Sequence, residues 1–101
     1  MAVAEISVIP IGTGSPSISK DVASAVSVLR SEEKLKYELT SMGTIIEGDV
    51  EDILRVTGRM HQAVLDSGAQ RVVTTIKIDD RRDKPLTISG KVESVRKKLE
   101  R

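Results

Sequence analysis

The sequence has almost no aromatic character: one tyrosine, Tyr37, and no Phe or Trp among 101 residues. Its core must be built from Ile, Val, Leu, Ala and Met. A flat ring has little to stack on, which argues against base stacking on single-stranded nucleic acid. Cysteine is absent, so disulfides and thiolate chemistry are excluded. Neither sign of charge dominates. Sixteen Lys and Arg stand against 15 Asp and Glu, a formal net charge of +1, which gives no electrostatic case for nucleic acid or an anionic membrane. The chain reaches Glu5 before any long apolar run, so neither a signal peptide nor a transmembrane segment is expected and a cytoplasmic protein is the default. The single histidine, His61, has no second His and no Cys to share a metal with, and the expectation is a structural side chain held by one hydrogen bond.

What is present reads as one domain over residues 1–101, enough for an adequate but not large core. Residues 3–9 alternate, with Ala4, Ile6 and Val8 on one side and Val3, Glu5, Ser7 and Ile9 on the other, a half-buried strand. Residues 11–17 form a loop of glycine and hydroxyls leading to a helix, with Ser17 or Ser19 as its cap. This is either a plain connection or a loop able to hold a polar ligand, and it has neither the lysine nor the spacing of a P-loop. Ile18, Val22, Ala25, Val26 and Leu29 recur at helical spacing, and the helix should fade near Glu32 and Glu33. A second strand follows, with Leu35, Tyr37, Leu39 and Ser41 opposite Lys36, Glu38 and Thr40. Tyr37 is expected in the core, its hydroxyl finding a partner at the edge.

Residues 40–49 organise the rest. They read as a strand end, a turn on Met42 and Gly43, and a short third strand over residues 44–47. Met is costly at positive φ, so a turn needing it only at Gly43, or a longer loop, is expected. Asp49 caps a second helix, which Ser67 and Gly68 end. Residues 71–79 form the plainest strand, with Val72, Thr74, Ile76 and Ile78 on one face. A mixed-charge loop over residues 79–85 suits internal ion pairs better than a metal, because its Arg and Lys oppose a cation. Ile88, Val92, Val95 and Leu99 mark a third helix ending in Arg96, Lys97, Lys98 and Arg101.

The order β-α-β-β-α-β plus a terminal helix predicts an α+β, ferredoxin-like domain: a four-stranded antiparallel sheet with two helices on one face. The other face would carry Val3, Glu5, Ser7, Ile9, Thr75, Lys77 and the Lys36, Glu38, Thr40 set, too apolar to ignore and too polar for a core. Such a face with two sheet edges predicts a homo-oligomer. Glu47 is either a strand-end or helix-start acid, or a carboxylate that accepts a hydrogen bond from a ligand amine. No spacing joins a nucleophile to a base, so an enzyme is not expected.

Residues 5–13, residues 37–44, Glu47 with Gly48, Arg71 with Val72, and residues 77–82 resemble the thiamine-binding protein family related to YkoF, nearly end to end and in the same order. The resemblance implies ferredoxin-like domains assembled as dimers and tetramers, including a homotetramer. It implies binding of thiamine or its hydroxymethylpyrimidine precursor without chemistry, with no other cofactor and no metal. It places ligand contacts at Ile11, Thr13, Thr40, Ser41, Met42, Gly43, Thr44 and Glu47. An aminopyrimidine wants a donor–acceptor edge, which hydroxyls, backbone amides and Glu47 could supply, and Met42 could offer a polarizable wall. The alternative is an oligomeric regulatory or scaffold protein with a different ligand or none.

Overall fold

The computed structural model describes residues 1–100; Arg101, counted above in the basic end of the last helix, lies outside them. The order is β1 (Ala2–Pro10), α1 (Ser19–Ser27) running into a 3-10 turn (Val28–Ser31), β2 (Lys36–Leu39), β3 (Thr44–Gly48), α2 (Val50–Asp66), β4 (Val72–Asp80) and α3 (Ile88–Leu99). The strands form one antiparallel sheet in the order β2-β3-β1-β4. This is the ferredoxin-like fold with an added C-terminal helix.

The alternation in β1 sets the core. Ala2, Ala4, Ile6 and Val8 face α1 and α2 and are buried with Ala25, Leu29, Ile46, Ile53, Val56, Met60 and Val64. Burial of such side chains is worth about 1.5–3 kcal/mol each. β4 is an outer strand and shows the cleanest in–out alternation. β2 is the other outer strand, and all four of its residues are exposed. Tyr37 is therefore not a core residue: it is 40% exposed and makes no side-chain hydrogen bond among the described residues. The strand reaches past the helices, so its inward parity buries nothing.

One local expectation is corrected, and one pair of alternatives is decided. The first helix is capped by neither Ser17 nor Ser19; its N-cap is Ile18, which offers no side-chain acceptor. The loop serines bond locally instead, Ser17 N–H donating to Ser15 Oγ at 3.2 Å and Thr13 Oγ1 to the Ser15 carbonyl at 2.9 Å. At the hairpin, Gly43 is not at positive φ. The loop is the longer alternative, residues 40–43, closed by Thr40 N–H and Thr40 Oγ1 donating to the Gly43 carbonyl at 2.9 and 2.7 Å. Gly43 is favoured by proximity: a Cβ there would lie 3.1 Å from the Ile6 carbonyl oxygen and 3.3 Å from Ser7 Oγ, so either neighbour would have to give by a few tenths of an ångström.

The end of the 3-10 turn that follows α1 is tied to α2 by a charged clamp. Arg55 donates to both oxygens of Glu32 at 2.8 and 2.9 Å, and Arg59 donates to the same carboxylate. The Arg55 hydrogen bonds hold the Glu32 carboxyl at about 2, partial burial opposes them, and the charges of Arg55 and Arg59 add to the lowering. An unconstrained glutamate titrates near 4.5. Between those values the unfolded chain binds more protons, so the contribution of the clamp is complete above the unfolded value and disappears as pH falls through the folded one. The melting temperature should therefore fall as pH is lowered from about 5 to about 2, and Glu32→Gln should flatten part of that slope. An unchanged slope in the variant would show that other carboxylates carry it.

Candidate functional site

The register of β1 opens the site. β1 pairs with β4 from Ala2↔Asp80 to Pro10↔Val72, but with β3 only from Ala2↔Gly48 to Ile6↔Thr44. Beyond Ile6 the β3-side edge of β1 has no neighbouring strand, because the chain has already turned through residues 40–43. α1 runs alongside this step without filling it. The result is a solvent-open cleft of about 770 Å³.

Its floor is apolar, from Ile6, Ala25 and Met60, each nearly inaccessible. Val22 and Val26 of α1 form one wall and the hairpin forms the other. Thr40, Ser41, Met42, Gly43 and Thr44 all line the cleft. Met42 stands 82% exposed at its lip, the polarizable apolar surface that the composition otherwise lacks.

The hydroxyls differ in availability. That of Thr40 is spent on the Gly43 carbonyl at 2.7 Å, and that of Ser27 on the Ser24 carbonyl at 2.7 Å. Ser17, Ser19 and Ser41 are exposed to water. Thr44 is only 3% exposed; it lines the cleft, and its hydroxyl has no hydrogen-bond partner among the described residues. No fully buried side-chain N or O lacks a partner among the described residues, so this hydroxyl opens onto the cleft and is free to bond to what enters it. Thr44 is one of the eight contacts that the resemblance implies; that its hydroxyl bonds to no protein group is visible only in three dimensions.

The other three named residues are placed elsewhere. Ile11 and Thr13 lie in the exposed loop after β1 and outside the cleft lining. Glu47 pairs across the ladder with Val3, so it points to the opposite face of the sheet. It is 6% exposed, and its Oε1 accepts the backbone N–H of Ile88 at 2.8 Å. Ile88 is the first residue of α3, whose cap Thr87 also accepts the N–H of Gly90 at 2.9 Å. Glu47 thus satisfies a free amide at the helix start and adds negative charge where the helix dipole favours it. With an ion pair from Lys91 to Asp79, it lays the first turn of α3 over the far face, above a second groove of about 530 Å³.

His61 is half-buried on α2, its Nδ1 2.6 Å from Thr74 Oγ1, the single hydrogen bond expected of it. In the mixed-charge loop, Arg81 Nε donates to Asp83 Oδ1 at 2.7 Å, an internal ion pair. Among the described residues no group of three or more His, Cys, Asp or Glu is placed to hold a metal ion, and no helix is long and apolar enough to cross a membrane.

These features define a class: a small ferredoxin-like domain with a part-apolar cleft at the step between β1 and the β2–β3 hairpin. The family model described as thiamine-binding protein matches residues 4–96, and the chain belongs to that family. It is 47% identical over 103 residues to UPF0045 protein YqgV of Bacillus subtilis, covering 99% of both chains. It superposes with a TM-score of 0.85 on the crystal structure of a hypothetical protein from Methanocaldococcus jannaschii at 42% identity, covering 93% of this chain and 94% of the other. A Thermotoga maritima structure described as that of a candidate thiamine biosynthesis/salvage protein shares the fold at a TM-score of 0.76 and 23% identity, with 93% and 97% coverage.

Replacing Glu47 with Ala should leave the Ile88 amide unsatisfied and cost about 1–3 kcal/mol. Hydrogen exchange should show faster exchange across the first turn of α3, with β1 still protected. Equal protection throughout would mean that the helix is held by its apolar contacts alone.

Proposed function

We propose that this protein binds a small pyrimidine-bearing ligand, thiamine or its hydroxymethylpyrimidine precursor, in the cleft beside α1, and does not transform it. The observation that carries the reading is Thr44, a nearly buried residue whose hydroxyl bonds to no protein group among the described residues and opens onto an otherwise mostly apolar cleft. Such sites are mainly apolar with a few placed polar groups that fix orientation. An aminopyrimidine presents adjacent donors and acceptors along one edge. Thr44 can donate or accept, and the unpaired edge of β1 beyond Ile6 offers backbone groups beside it. Family membership supports the same ligand class. The absence of Asp, Glu, His, Cys and Lys from the cleft lining supports binding without catalysis, since a nucleophile needs a base within reach.

A homo-oligomer, dimer or tetramer, belongs to the same proposal. Leu39 on outer strand β2 is 60% exposed, and α3 presents Val92, Val95 and Leu99 along one stripe with Leu99 76% exposed. Exposed apolar stripes of this kind are ordinarily covered by a partner.

Thermal shift and calorimetry test the ligand. The melting temperature should rise with the concentration of thiamine or hydroxymethylpyrimidine. Thr44→Val should weaken binding by roughly tenfold or more while leaving stability within about 1 kcal/mol, because the lost hydroxyl bonds to nothing in the free protein. Unchanged affinity in Thr44→Val removes the cleft assignment. Light scattering should give a dimer or tetramer, and a strict monomer contradicts the oligomer.

A further inference from the structure

The cleft lining carries one formally charged side chain, the guanidinium of Arg30, and no carboxylate. The acids on the same elements are committed or directed elsewhere. Glu47 holds the Ile88 amide on the opposite face, and Glu32 is clamped by Arg55 and Arg59. Glu5 and Glu38 line the groove under α3. Asp21, in the first turn of α1, lies outside the lining. Aromatic compensation is also missing, because Tyr37 is not part of the cleft. A permanent cation entering here would lose water and gain neither a counter-charge nor a ring face.

The formal charge of the lining is therefore positive. At one end the cleft borders the start of α1, where Asp21 in the first turn offsets the positive pole of the helix dipole, which leaves Arg30 as the charge that sets the sign of the lining. Arg30 stands eleven residues beyond Ser19, about 16 Å along a helical rise. It is exposed and makes no ion pair among the described residues, so its charge is not neutralised by a neighbour.

We infer that the cleft discriminates between pyrimidine ligands by charge, favouring an uncharged aminopyrimidine over one joined to a permanently cationic thiazolium, with Arg30 as the residue that sets this selectivity. The inference rests on the pyrimidine-binding reading above and narrows it. Thiamine has the larger contact area, so size alone would rank it first; charge reverses that ranking.

Calorimetry with three compounds separates charge from size: hydroxymethylpyrimidine, thiamine, and an uncharged isostere of thiamine whose thiazolium nitrogen is replaced by carbon. The isostere should bind at least tenfold more tightly than thiamine. Hydroxymethylpyrimidine, though smaller, should at least match thiamine. Arg30→Glu should bring thiamine to within about threefold of the isostere, with an unchanged melting temperature for the free protein. Thiamine equalling or surpassing the isostere on the unaltered protein overturns the charge selection. A tenfold gap that persists in Arg30→Glu overturns the role of Arg30. Failure of all three compounds to bind overturns the pyrimidine reading, and the selectivity falls with it.

Discussion

β1 has a partner along its full length on one side and along only half of it on the other. That inequality governs the rest of the molecule. The paired half forms the closed core, where Ala2, Ala4 and Ile6 meet Ile46 and the inner faces of the helices. The unpaired half leaves a ledge of backbone that α1 runs past without sealing. The same strand therefore supplies both the stability of the domain and its one concavity beside α1, and the division falls at Ile6, opposite Thr44.

Glycine 43 keeps the two halves apart. Residues 40–43 press onto β1 closely enough that the Ile6 carbonyl would crowd a side chain at position 43. The turn is pinned there, and Thr40 spends its backbone and side-chain donors on it. Thr44, one residue later, is left with a hydroxyl that the protein does not use. The two faces of the sheet then take opposite roles. The helix face carries the open cleft, and the far face is part-covered by α3, held down by Glu47 and the Lys91–Asp79 pair.

Much of this was legible in the sequence. The alternation of Ala4, Ile6 and Val8, the period-2 pattern of β4, and the helical spacing of Val22, Ala25, Val26 and Leu29 fixed the element types, and chirality rules left one simple topology. The hairpin contribution to the cleft could also be read, since Thr40 to Thr44 are contiguous. What failed depended on distances between segments. Tyr37 has inward parity, but parity does not reveal that an outer strand extends beyond the helices. Gly43 left two turn geometries open, and what decides between them is the approach to β1, far away in sequence. Thr44 and Glu47 lie three apart on one strand, so they face opposite sides of the sheet. That parity was available in the sequence, and grouping them by resemblance concealed it.

The hairpin tip also sets how deep this cleft is. Depth at the ledge depends on where β3 stops, so inserting two residues into β3 would carry the hairpin further along β1 and extend backbone over the opening while leaving the floor of Ile6, Ala25 and Met60 unchanged. Deleting two would uncover more of β1 and lengthen the hollow. Capacity for larger or smaller guests is thus adjustable by changes in loop length, a class of genetic event that leaves the pattern of buried residues intact.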